Sequence, residues 1–207
     1  MTMRQARGIS MVELLIALVI FSVLLSVGVP SMMSWVKANK AAAGTEFYAE
    51  GFKLARAEAV RHNSASRLVL TDNTGNGQMD WQVDICFPTA AVPCAEDTGA
   101  WSGRTAAAGA DPEGTAGFKS VFRSAESLPA NNVMALSLSP SGATAVYFTS
   151  LGWVDTTFAP RLTRLQLAPA SGQSGQFPAS AVVVTLAGLA TKCDPTVAAF
   201  DSRGCPP

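Results

Sequence analysis

From Ile9 to Val29 the chain reads ISMVELLIALVIFSVLLSVGV, 21 residues with a single charge, Glu13. A helix rises about 1.5 Å per residue, so a run of this length crosses the roughly 30 Å hydrocarbon core of a bilayer. A membrane-spanning helix is therefore expected at the start of the chain. A cleaved secretory signal competes with it, but that signal has an apolar region of about 7–15 residues and a small-x-small site close behind. Here the run is longer, and the alanine-rich candidate Ala41-Ala42-Ala43 lies past Trp35 and Lys37. Arg4 and Arg7 precede the run, and Lys37 and Lys40 follow it. The charge rule for membrane topology favours a cytoplasmic N-terminus only weakly on those positions.

The rest of the chain has few charges. Charged residues are 14% of the 207 against 48% apolar, where an average soluble domain carries about 25% charged. The surface is therefore expected to be rich in Ala, Ser, Gly and Thr. The formal net charge is zero, and without Met1 to Gly8 it becomes −2, with 13 basic residues against 15 acidic. The basic excess usual in nucleic-acid binders is missing.

Cys86, Cys94, Cys193 and Cys205 all follow the apolar run, in two locally spaced pairs. An even number so arranged suits disulfides in an oxidising compartment. Zinc is the alternative, but C-x7-C and C-x11-C are not metal-knuckle spacings, and His62 is distant in sequence. The region after the apolar run is thus expected outside the cytoplasm.

Glu13 needs its own explanation. A carboxylate at the bilayer centre costs about 2.5–3.5 kcal/mol, and less near an end. Either it is solvated among headgroups or it has a partner. Arg7-Gly8-Ile9-Ser10-Met11-Val12-Glu13 resembles the type III signal of type IV pilins and type II secretion pseudopilins. The resemblance implies that a membrane-embedded aspartyl peptidase cuts between Gly8 and Ile9. It implies N-methylation of Ile9, and pairing of Glu13 with the N-terminal amine of a neighbouring subunit during assembly. Glycine leaves room for the peptidase, and a costly carboxylate becomes tolerable once paired. Pro30 stands where the family carries a helix-interrupting proline, so a break is expected there. Ile9 departs from the more usual Phe or Met at the first mature position.

After Pro30 the helix is expected to resume. Met33, Val36, Ala43, Phe47, Leu54, Ala55 and Val60 recur at three- and four-residue spacing, as on an amphipathic face. Asn63-Ser64 is the expected stop. Strands are expected at Arg67 to Leu70, Trp81 to Phe87, Phe118 to Phe122, Val133 to Ser139, Ala145 to Phe148, Arg161 to Leu167 and Ala181 to Leu186. Asn76-Gly77, Pro140 to Gly142, Leu151-Gly152 and Ala187-Gly188 supply turns. Ala95 to Gly117 and Pro169 to Ser180 have no period and are expected to be mobile surface loops.

Leu54 to Asn63 and Val146 to Val154 resemble the GspH/FimT group of minor pilins and pseudopilins, as does the closing strand before Cys193-Asp194-Pro195. The resemblance implies an α+β fold, with a long N-terminal helix packed on a mostly antiparallel sheet or sandwich. The expected organisation is a leader at 1–8, a transmembrane and polymerisation helix at 9–33, a periplasmic helix at 34–64 and a β-rich head at 65–207. It implies a minor pilin of an assembly-initiation or tip complex, anchored in the inner membrane with a periplasmic head and then built into a pilus. The alternatives are a minor pseudopilin of type II secretion and a DNA-binding minor pilin for natural transformation. Implied partners are other major and minor pilins or pseudopilins, the prepilin peptidase and the inner-membrane assembly platform.

Four cysteines allow three pairings. Cys86 and Cys94 flank a short loop constrained by Pro88 and Pro93, and Cys193 and Cys205 close a loop at the C-terminus. Cys86–Cys94 and Cys193–Cys205 are expected, the second also in keeping with the family habit of tying the C-terminal region.

DNA-binding members carry arginines in a Gly-Arg-Val-Arg-like stretch before a cysteine. The matching Gly188-Leu-Ala-Thr-Lys-Cys193 has only Lys192, which counts against DNA. Arg56, Arg61, His62 and Arg67 form an alternative basic set, otherwise read as a solvated helix face interleaved with Glu58. Asp72, Thr74, Asn76 and Asp80 space oxygens as in a calcium loop, but Val83 stands where a bidentate Glu belongs. A polar hairpin turn with Asn76-Gly77 at its tip explains the same residues. No nucleophile elbow, phosphate loop or His-rich metal motif is present, so no enzyme and no cofactor is expected.

Overall fold

The computed structural model describes residues 10–98, 100–198 and 200–206. One helix, α1 (Met11–Arg61), takes up the first quarter of the chain. Its 51 residues make a rod of about 77 Å. Ser10 caps its start, the Oγ accepting the Glu13 N–H at 3.1 Å. The other end closes as a Schellman motif. Ser64 N–H donates to Ala59 O at 3.0 Å and Asn63 N–H to Val60 O at 3.2 Å. Asn63 takes the left-handed conformation this requires, with φ +46°.

The break expected at Pro30 is absent: α1 runs through it as one element. Proline removes one backbone donor, and membrane helices accommodate that loss more readily than soluble ones. Long apolar and alanine-rich stretches flank it on both sides and sustain the helix.

The head has two four-stranded antiparallel sheets. In the first, β1 (Ala65–Asp72) is flanked by β2 (Met79–Cys86) and β5 (Ala145–Phe148), with β3 (Val121–Arg123) beyond β2. In the second, β4 (Met134–Ser139), β6 (Arg164–Pro169), β7 (Ser180–Val184) and β8 (Ala190–Cys193) lie in that order. The C-terminal half of α1 packs against both sheets.

The buried face of α1 is Ala41, Gly44, Thr45, Tyr48, Ala49, Gly51, Phe52, Ala55, Glu58 and Ala59. Of the expected stripe, Ala55 is buried and Phe47 and Leu54 pack against the core, whereas Met33, Val36 and Val60 are exposed. The true stripe is rich in Ala and Gly because the sheets approach closely. A Cβ on Gly51 would lie 2.9 Å from Leu68 Cδ1 and 3.0 Å from the Trp81 ring. Several polar side chains in the contact are paired. Ser66 Oγ donates to Ala55 O at 2.6 Å, Trp81 Nε1 donates to Phe47 O at 2.9 Å, and Thr45 Oγ1 lies 2.6 Å from Ser180 Oγ.

Four other expectations change. The third strand starts at Val121, because Phe118 N–H is held by Asp111 Oδ2 at 3.0 Å. Ala190–Cys193, too polar to signal a strand, is one because β7 offers it an edge. The stretch Ala95 to Gly117 is anchored: Trp101 bridges Cys86 and is buried, and buried Asp111 also accepts the Glu113 N–H at 2.9 Å. Pro169 to Ser180 is likewise pinned by buried Phe177 and by Lys37, whose Nζ donates to Gln173 and Gln176.

Candidate assembly surface

Gly8 and Ile9, the expected cleavage and methylation positions, lie outside the described residues. The site therefore begins at Ser10. Ser10-Met11-Val12-Glu13 is a capping-box sequence, and the bond from Glu13 N–H to Ser10 Oγ fixes the first turn. A carboxylate there is favoured by the helix dipole, typically by about 0.3–1 kcal/mol. Glu13 is exposed, and among the described residues no cation pairs with it. Lys37 is 24 positions along the same helix, about 36 Å away. A charge partner for Glu13 must therefore come from outside the described chain.

The apolar residues after Glu13 point outward all round. Phe21 is 59% exposed, Leu24 65% and Val27 71%. The segment is long and apolar enough to cross a membrane. Among the described residues nothing in the head covers it, so it suits lipid or the helices of other subunits.

At the C-terminus, Cys193 and Cys205 are bonded with Cα atoms 4.8 Å apart, and Cys205 is buried with Ala181 and Val183. Asp194 N–H donates to Arg203 O at 2.7 Å. Hydrogen bonds from Thr196 hold the Asp194 carboxyl below the usual range, and the Arg203 guanidinium does the same for Asp201. The other bridge, Cys86–Cys94, has its Cα atoms 5.9 Å apart and closes the loop after β2.

The candidate calcium loop serves the fold. Asp80 Oδ1 accepts the Ala125 N–H at 2.7 Å and the Asn73 amide at 2.8 Å. Asn76 donates its amide to Ala125 O and Leu128 O, and its Oδ1 accepts the Gln78 N–H at 3.0 Å. The loop, with Asp72 and Thr74 on its exposed side, thus ties the β1–β2 hairpin to the segment before β4. Among the described residues no group of three or more His, Cys, Asp or Glu could hold a metal ion.

The basic set also disperses. Arg56 Nε donates to Gly152 O at 3.2 Å. Arg61 lies 3.6 Å from Glu58. Arg67 pairs with buried Asp84 at 2.9 Å and stacks on Trp101. His62 is not on an open face: it packs edge-on against Phe118 and Phe87 beside Glu58. Lys192 pairs with Glu46. The four residues do not form a continuous cationic track.

Residues 46–188 match the family described as type II transport protein GspH. The chain belongs to that family. Residues 3–29 match the prokaryotic N-terminal methylation motif. A solved structure similar to this chain is the type IV minor pilin FimU of Pseudomonas aeruginosa, at 13% identity, covering 76% of this chain and 90% of that one with a TM-score of 0.39. No curated protein matches. Pilin-like subunits of this family are structural, and their apolar N-terminal helix suits membrane anchoring with a soluble head.

Proposed function

We propose that this GspH-family chain is a minor pilin, cut after Gly8, methylated at Ile9 and built into the initiation or tip complex of a type IV pilus. Before assembly it sits in the inner membrane through the apolar half of α1, with the disulfide-bonded head in the periplasm. Its role is structural and not enzymatic. It meets the prepilin peptidase, the assembly platform and other pilins in turn.

The observation that carries this reading is Glu13, without a cation partner among the described residues, in the first turn of the capped and exposed apolar half of α1. Once the leader is gone, the chain begins one residue before the Ser10 cap. An ammonium at that point sits against the positive end of the helix dipole and is disfavoured there. The Glu13 of a neighbour, lacking a partner of its own, offsets that cost. The family match to a type II transport protein favours a second reading, a minor pseudopilin of type II secretion. Both readings use the same chemistry at residues 8–13.

The test is the N-terminal mass of the protein from its own cells. A start at Ile9 carrying one methyl group is expected, and Gly8→Val should leave the leader attached and the chain in the membrane. A mature start at Met1 or Gly44 overturns the reading. Sheared surface fibres containing the chain support the pilus. Loss of secretion on deletion, with fibres unaffected, supports the pseudopilin.

A further inference from the structure

A groove of about 470 Å³ lies along α1 where its apolar half meets the head. Residues 29–41 of the helix, Met33 and Val36 among them, supply one wall. Pro129 and Val133, just before β4, supply the other together with Phe177. The groove deepens along the helix, from Val29 at 48% exposed to Ala41 at 3%. One turn further on it is closed, because a Cβ on Gly44 would lie 3.1 Å from Met134 Cε and 3.2 Å from Leu167 Cδ1. Its open end therefore points back toward the apolar run.

The head wall is held by the backbone. Val133 N–H donates to Ala130 O at 2.8 Å, and Ala170 N–H donates to Val133 O at 3.0 Å. Phe177 is buried. A preformed apolar cleft with a few placed polar groups is the usual form of a ligand site.

The charges at the groove are of one sign. Among the described residues, Lys37 and Lys40 are the only charged groups lining it. Lys37 Nζ donates to Gln173 at 3.3 Å and to Gln176, neutral amides that leave its charge uncompensated. Lys40 is exposed and makes no hydrogen bond or ion pair among the described residues. The chain has no acidic residue between Glu13 and Glu46, and Glu46 is held by both Lys53 and Lys192.

The same charges set the height of the groove. Residues 14–36 carry none, a stretch of about 35 Å. At the usual tilt of about 20° it matches the roughly 30 Å hydrocarbon core. Lys37 then emerges among the headgroups beside Trp35, which is 67% exposed and of a type enriched at membrane interfaces. The open end of the groove meets the acyl chains below it.

We infer that this groove binds a phospholipid of the leaflet on the head side, with an acyl chain between Val36 and Val133 and an anionic headgroup on Lys37 and Lys40. The inference rests on the membrane anchoring proposed above. Basic residues at a membrane surface attract anionic headgroups, and lysine stems lie along apolar surface while the ammonium stays at the polar level. An apolar helix of another protein would fill the groove but leave both ammonium groups without an anion. A phospholipid brings chain and phosphate together. Bound there, it ties the head to the bilayer at a second point besides α1.

The experiment reconstitutes the full chain in phosphatidylcholine nanodiscs. A trace of phosphatidylglycerol or of phosphatidylcholine, each with a diazirine on its acyl chain, is the probe. After irradiation, labelled peptides are mapped by mass spectrometry. Both probes should label residues 14–29. Phosphatidylglycerol should label the peptides carrying Val133 or Phe177 at least fivefold more than phosphatidylcholine. Lys37→Gln with Lys40→Gln should remove that excess while both disulfides stay intact, and Lys37→Arg with Lys40→Arg should keep it. Equal labelling of the head by the two probes overturns the inference, as does an excess that survives the double glutamine change. In cells, a benzophenone amino acid at Met33 should give a lipid adduct. A protein adduct in its place assigns the groove to another subunit and overturns the inference. Label missing from residues 14–29 would sink the membrane reading, whereas label confined to them sinks the lipid site alone.

Discussion

Tyr48 and Met79 exchange two hydrogen bonds across the contact between helix and sheet: the phenol donates to Met79 O at 2.9 Å and accepts the Met79 N–H at 3.2 Å. Tyr48 is fully buried, and burial pushes its hydroxyl above the usual tyrosine range. Tyr48→Phe leaves buried groups of Met79 without these partners, which costs about 1–3 kcal/mol. Denaturant midpoints at pH 7 should fall accordingly.

The same residue sets an alkaline limit. An acid whose folded pKa is raised stabilises the fold fully below its unfolded value, about 10 for tyrosine. That contribution is lost as pH rises from there through the folded value. The midpoint of the wild-type head should drop above pH 10, and the drop should be shallower in Tyr48→Phe. Tyr147, also raised mainly by burial, accounts for the slope that remains. Equal slopes in both proteins would rule out Tyr48 as the source.

Gly51→Val should destabilise the contact between α1 and the first sheet. The new side chain meets Leu68 and the Trp81 ring at or inside contact distance, and overpacking of this kind costs about 1–3 kcal/mol. Gly28 has nothing within 4 Å of its Cβ direction, so Gly28→Ala should leave head stability unchanged. Thermal melts followed by near-ultraviolet circular dichroism would separate the two, and a stable Gly51→Val head would contradict the close approach.

Glu13→Leu should still be processed, because the scissile bond is untouched. Assembly should fall more than about tenfold, since a pair that loses one charged partner typically loses 3–5 kcal/mol when buried. Immunoblots of sheared fibres against whole cells measure this. Normal incorporation would mean that the carboxylate is merely solvated.

What was readable from the sequence follows from what each feature depends on. The apolar run and the stop at Asn63-Ser64 rest on local chemistry, and the C-terminal end of α1 closes on those two residues, whereas Ser10 was not read as the cap of its start. The buried stripe of α1 was legible at Phe47, Leu54 and Ala55 but not at Gly44, Gly51 and most of its alanines, which signal nothing by hydrophobicity. Their role comes from sheets contributed by residues far along the chain. β8 was missed for the same reason: Thr191 and Lys192 become strand residues through pairing with β7. Pro30 was read by its local preference for breaking helices, which the long flanking segments override. At the site, Glu13 was legible as an isolated charge in an apolar run.

The C-terminal tail gives the last test. Asp194 and Asp201 are both held below the usual carboxylate range, the first chiefly by Thr196 and the second by Arg203. A lowered folded pKa means a contribution present above the unfolded value of about 3.9 and lost as pH falls through the folded one. Carboxyl resonances of both residues should therefore titrate below that value, and the Asp194 N–H shift, which reports its bond to Arg203 O, should move with the same midpoint. The Cys193–Cys205 bridge holds the two halves of this loop together, and closing a loop this short stabilises by roughly 2.5–3 kcal/mol in the chain-entropy picture. Replacing both cysteines with serine should free the tail from Ala181 and Val183 and break the Asp194 N–H bond to Arg203 O, while the Asp194 midpoint stays low, because Thr196, its chief hydrogen-bond donor, is only two residues away. Asp201 and Arg203 are only two residues apart, so their pair should survive and the Asp201 midpoint should stay low. A double-serine protein that keeps the Asp194 N–H bond to Arg203 O, seen as an unchanged Asp194 amide shift, would show that hydrogen bonds alone, without the bridge, shape the tail.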